Sequence, residues 1–324
     1  MTGELRDRGL RARLLLLVGR LWVAAPPERL AAVRILVGLF AVVYFSIRLP
    51  HMLSYIGFPD RQWRPVGPLW LLGHPPPAVA VMVLAALTWL SGWGFLLGWR
   101  FRATGPIHAL CLLWSMTYCN SWGQIFHTEN LAVLFALVLA TTRAADATSL
   151  DAGRRGAVPA PDGRYGWPLL LLRVVAVATY FIAGVAKLRW GGPGWAGGDV
   201  LLDTVAADGM RKVVLGSLHS PFAELLLGQA WLFRGLALLT LVVELGAPLA
   251  LLGRRVALVW VLGVIGFHLG VFALMAILFP FAVTGVAFAP FFSPERLIEW
   301  VRSRAARLRV RAARASSGKE RTVG

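Results

Sequence analysis

Charge is what this chain has least of. Aspartate, glutamate, lysine and arginine together make up 15% of its 324 residues, against about a quarter in an ordinary soluble domain. That shortage excludes a freely hydrated fold over most of the length. Cysteine is scarce too. Cys111 and Cys119 lie in one apolar run with neither CxxC nor metal-ligand spacing, so they read as packing residues and imply no redox compartment. No internal repeat is present, and this argues against a transporter built from inverted halves. Acidic residues are outnumbered, 16 against 33 basic ones, for a formal net charge of +17. A surplus of that sign can signal nucleic acid. Here the arginines gather at the termini and beside the apolar runs, where anionic lipid headgroups are the better partner. Membrane lipids are therefore expected as partners and nucleic acid is not.

What is present is hydrophobicity in runs, 57% of the residues, separated by short basic or Gly/Pro-rich segments. Many of the fourteen tryptophans stand near the ends of those runs, as in an interfacial belt. The pattern is that of an all-α integral membrane protein, a polytopic helix bundle. Residues 1–29 set Arg6, Arg13 and Arg20 on one helical stripe and Leu10, Leu14, Leu17 and Leu21 on another, which reads as a basic amphipathic helix in the headgroup layer. A signal peptide ending near Ala24-Ala25 is the rival, but Arg20 leaves it too short an apolar core. Residues 30–292 hold about eight expected spans: 30–47, 77–99, 106–122, 131–142, 169–188, 230–252, 256–275 and a short one over 276–292. Between spans, 48–76 is broken by proline and glycine and folds back at the surface. Residues 189–229 read as a glycine-rich turn and short amphipathic helices. Residues 293–324 read as a basic helix running into a disordered tail from Ser316. Arginines recur in alternate loops, and that alternation predicts a plasma-membrane protein with both termini cytoplasmic.

The fifth expected span, LLLLRVVAVATYFIAGVAKL, carries Arg173, Tyr180 and Lys187 at seven-residue spacing, hence on one stripe, with Gly184 beside them. Ionisable groups inside a bilayer are costly and normally face the bundle interior. Orientation then puts Lys187 near the outer face, with His127, Glu129 and Asn130 between the third and fourth spans and His268 in the outer half of the seventh. Arg173 and Glu244 fall nearer the other side and are expected to form a structural ion pair. Bland alternatives stand beside each: a snorkelling lysine, a core histidine, loop residues with Asn130 as helix cap. No pair among His127, Glu129 and His268 has zinc-ligand spacing, so no metal is expected.

TYFIAGVAKL followed by Trp195-x-x-Gly198 resembles the lysine-bearing segment of vitamin K-dependent γ-carboxylases. The likeness continues through Glu244, Phe267-His268, ILFPF and FFSPE, and upstream through HTEN and the SLD at Ser149–Asp151. The wider group is the horizontally transferred transmembrane (HTTM) domain family. The resemblance implies a helical membrane fold and a lysine base, Lys187. It also implies a reduced naphthoquinone as cofactor, oxygen addition to form a strong base, and carboxylation of a glutamyl γ-carbon. His127 and His268 are then candidate catalytic residues, and Tyr180, Glu129, Asn130 and Trp195 candidate contacts to the quinone. The chain differs from the carboxylases at Ala186 and at Arg189-Trp190, and ends after the membrane domain. The leading expectation is a quinol-dependent membrane enzyme, carboxylase-like or oxidoreductase-like. The alternative is a non-catalytic membrane component that binds lipid or a protein partner.

Overall fold

A computed structural model describes residues 23–304 apart from Arg302. Most of the expected N-terminal amphipathic helix and the tail beyond residue 304 lie outside the described residues. Among those described, the fold is all-helical and contains no strand; one isolated bridge joins Ala25 to Asp162. Helix α1 (Pro27–Ser54) starts on a proline at its first position, where a missing N–H costs nothing, with Glu28 against the positive end of the helix dipole. The helix runs through Pro50 to Ser54, so the broken segment expected from residue 48 begins at 55; three short 3₁₀ turns, Tyr55–Gly57, Asp60–Gln62 and Gly67–Leu71, fold it over the end of the bundle. There Trp63 and Leu69 are buried in one cluster with Tyr55 and Tyr118. Next come α2 (Ala78–Leu97), stopped by Gly98 at φ 61°, and α3 (Phe101–Cys119), α4 (Asn130–Ala140) and α5 (Leu150–Arg155). The long α6 (Gly163–Gly197) opens on Asp162, whose carboxylate accepts the Arg164 N–H at 2.7 Å, and kinks at Gly192. Gly192 adopts φ 51°, ψ −140°, a region only glycine enters freely. After it come α7 (Asp199–Val214), α8 (Pro221–Leu226), α9 (Ala230–Leu245), a 3₁₀ stretch Ala247–Leu252, α10 (Arg254–Met275), and the short α11 (Pro280–Val283) with a 3₁₀ turn Val286–Phe291.

Four helices, Pro27–Gly57, Ala78–Leu97, Gly163–Gly197 and Arg254–Met275, are long and apolar enough to cross a membrane. Leu87, Leu90, Ile182, Val259 and Leu262 on them face outward, as lipid-facing side chains do. Four of the eight expected spans, 30–47, 77–99, 169–188 and 256–275, lie on these helices. The eleven residues of α4 reach only about 16 Å, half a hydrocarbon core. Residues 276–292 form no continuous helix, because Pro280, Gly285 (φ 76°) and Pro290 interrupt them. That last segment nevertheless runs the length of the bundle through its interior. Phe279 packs on His127 and His268 near one end, and Phe292 lies under the Arg254 guanidinium at the other. Irregular backbone at membrane depth survives only inside protein, where its polar groups find partners. Phe281, Ala287, Phe288 and Phe291 are buried in the main core, and Arg173 Nε donates to the Pro290 carbonyl at 2.7 Å.

The basic loops collect at one end. Arg29 bonds Glu295 at 2.9 Å, and Arg100, Arg102, Arg143, Arg154 and Arg155 surround one cavity. Fully buried Arg34 and partly buried Arg48 lie on the inner stripe of α1.

Candidate functional site

Helix α6 carries the centre of the site. A Cβ on Gly184 would stand 2.9 Å from the Glu244 Cβ and 3.0 Å from Leu245 Cδ2, so only glycine lets α9 come this close. That approach places Glu244 opposite Lys187, one turn further along α6. Lys187 Nζ donates to Glu244 Oε1 at 2.6 Å; the glutamate side chain is 3% exposed and the lysine 22%. Beyond the Gly192 kink the chain brings Trp195 back over the ammonium, with Nζ 5.3 Å from a ring centroid. Two turns before Lys187, the Tyr180 hydroxyl meets His268 Nε2 of α10 at 2.8 Å. The rings of His268 and His127 pack on Phe279 at centroid distances of 4.5 and 5.3 Å.

These groups line one cavity of about 360 Å³ whose walls are mainly apolar, among them Leu131, Ala183, Phe267 and Val271. Three buried polar atoms of lining residues have no hydrogen-bond partner: Glu244 Oε2, His268 Nδ1 and Trp195 Nε1. Each such atom costs about 1–3 kcal/mol if nothing meets it. A mainly apolar cavity walled by residues with such polar groups suits a molecule with an apolar body and polar atoms at its edges. Thr179, Thr204 and Thr240 also line the space, but their hydroxyls are already bonded to carbonyls one turn back, at 2.8, 2.6 and 2.8 Å. Thr128, the threonine of the HTEN segment, lines it too. His127 stands in the loop before α4. Partial burial holds its imidazole below the usual histidine range, and the Lys187 charge adds to this while Glu129 opposes it.

Three sequence expectations change. Arg173 does not pair with Glu244. The two cations of α6 lie fourteen residues apart, about 21 Å along the helix, so one carboxylate can serve only one of them. Glu244 serves Lys187. The depth argument misplaced it: the close approach of α9 at Gly184 sets Glu244 at the level of Lys187. Glu129 does not line the cavity. It is buried between α1 and α4, accepting from the Tyr44 hydroxyl and from Thr128 Oγ1 at 2.7 Å, with Arg48 Nε at 3.9 Å. It anchors the loop that carries His127. Asn130 is the exposed first residue of α4, away from the cavity and not a side-chain cap. Among the described residues, no three His, Cys, Asp or Glu side chains converge to hold a metal.

The family model of the HTTM domain matches residues 23–296. The chain belongs to the HTTM domain family. Comparison of this HTTM protein with curated proteins and with solved structures finds no match. The family match spans α1 to Glu295 and Arg296, and so takes in every element that builds the cavity.

Proposed function

We propose that this HTTM-domain protein is a quinol-dependent membrane enzyme, carboxylase-like or oxidoreductase-like, that takes a reduced naphthoquinone or related lipid quinone into the cavity beside Lys187. The observation that carries the reading is that Glu244, His268 and Trp195, each with a buried polar atom that has no partner, line one mainly apolar space beside a lysine. A flat apolar ring that carries oxygens suits walls of that composition. Such a quinol, when bound, supplies the reducing electrons. Trp195 Nε1–H donates to an oxygen at one wall, and the aromatic and aliphatic walls exclude water. Lys187 in its amine form takes a hydroxyl proton. Glu244, at 2.6 Å, is the nearest place for the lysine's own proton to go. His268, steered by Tyr180, orients the opposite edge. The proposal includes a plasma-membrane location with both termini cytoplasmic.

The same ion pair favours a second reading, a non-catalytic membrane component that binds lipid in the cavity while Lys187–Glu244 locks α6 to α9. Oxygen uptake with reduced naphthoquinone separates the two. Lys187→Arg keeps the charge and the partner, but arginine cannot release its proton in a protein. Wild type should consume oxygen and the variant should lose about 10²–10⁴-fold. Full activity in Lys187→Arg removes the base role. Quinone binding without turnover in wild type, read as fluorescence quenching that Trp195→Phe abolishes, leaves the binding component.

A further inference from the structure

A second cavity, of about 510 Å³, opens at the other end of the bundle between the α2–α3 turn and α5. It is lined by five arginines, Arg100, Arg102, Arg143, Arg154 and Arg155, and two carboxylates, Asp146 and Asp151. Both carboxylates are already committed. Asp151 accepts the backbone N–H groups of Arg100 and Phe101, each at 2.9 Å, and so caps the start of α3. Asp146 accepts from Arg155 Nη1 at 2.8 Å and from the Tyr165 hydroxyl at 2.9 Å, with Arg143 3.9 Å away. Arg102 and Arg154 have no carboxylate partner among the described residues, and the Arg100 guanidinium lies over its neighbour Trp99, 5.5 Å from the ring centroid. Behind the wall, fully buried Arg34 stands 5.9 Å from the Phe101 ring. Asp151 also holds Arg100 in a left-handed conformation, φ 43°, which a non-glycine residue adopts at a cost and which sets where its side chain leaves the chain. The SLD segment thus builds one wall: Ser149 caps α5, with its Oγ accepting the Ala152 N–H at 2.8 Å, and Asp151 caps α3.

We propose that this cavity is a binding site for a phosphate-bearing anion, held in the forks of Arg102 and Arg154 with Arg100 and Arg143 at its flanks. Guanidinium groups meet phosphate oxygens two at a time, and five solvent-exposed ones against two spent carboxylates leave a positive surplus that favours an anion. Exposed Leu97, Trp99 and Leu150 adjoin the charged residues in sequence and offer an apolar surface for a lipid's chains. A lipid headgroup and a free phosphate share this chemistry, and basic pockets between membrane helices commonly hold headgroups.

The test uses the purified full-length chain in neutral detergent. Binding of dioctanoyl phosphatidylglycerol, of inorganic pyrophosphate and of dioctanoyl phosphatidylcholine is measured by thermal shift and by titration. At least one of the two anions should bind, and Arg102→Gln/Arg154→Gln should weaken it at least tenfold while leaving any phosphatidylcholine binding unchanged. Phosphatidylglycerol alone identifies a headgroup site; pyrophosphate binding identifies a site for free phosphate. If the double glutamine variant does not fold, Arg102→Lys/Arg154→Lys, which keeps charge but loses the fork, should weaken the same anion severalfold. Failure of both anions to bind wild type, or equal affinity in wild type and a folded variant, overturns the site.

Discussion

Replacing Lys187 by methionine keeps the bulk of the stem and removes the ammonium. Glu244 then loses its one hydrogen-bond partner, because Oε1 bonds only Lys187 and Oε2 is already without one. With 3% of the side chain exposed, water cannot take the lysine's place. Stranding a buried charge in this way costs about 3–5 kcal/mol. Glu244→Met should cost less, about 1–3 kcal/mol, since the lysine is 22% exposed and rests against the Trp195 ring. The double variant Lys187→Met/Glu244→Met removes both charges from an apolar setting and should lie within about 1 kcal/mol of wild type. The assay is reversible unfolding in mixed micelles titrated with sodium dodecyl sulfate, run on all four proteins as a double-mutant cycle. A Lys187→Met protein as stable as wild type, or a double variant as damaged as the two singles summed, would refute the pairing.

Gly184→Val should force α6 and α9 apart and cost about 1–3 kcal/mol in the same assay, because its Cβ has only 2.9 Å to the Glu244 Cβ; an unaffected protein would show that the helices do not touch there. His127 has its folded value lowered by burial, so the unfolded chain takes the proton first and stability falls as pH drops below about 6.5. His127→Gln should flatten that part of the pH–stability profile, and a slope retained in full would assign it to another group. In a background without Cys111 and Cys119, exposed Ser217→Cys and Val158→Cys should label from opposite sides of the membrane, Ser217→Cys from outside intact cells. Labelling of both from one side would overturn the sidedness argument.

The amino-acid sequence alone determined the class of this protein and much of its inventory. Hydropathy reports which segments leave water, and the helices cover most of the runs it marked, α2 and α10 almost residue for residue. The heptad of Arg173, Tyr180 and Lys187 already assigned two of its three members to the site, because side chains seven apart share a helix face whatever surrounds them. Hydropathy does not report depth, azimuth or the partner across an interface. Which cation Glu244 meets depended on the close approach of α6 and α9 at Gly184. Trp195 reached Lys187 only through the Gly192 kink. The 276–292 segment was apolar enough to be read as a helix. It crosses the bundle as broken backbone because the surrounding core, and Arg173 at the Pro290 carbonyl, meet polar groups that lipid would leave bare. Local pattern decides what a segment is made to avoid, and only the assembled bundle decides what each buried polar group finds instead.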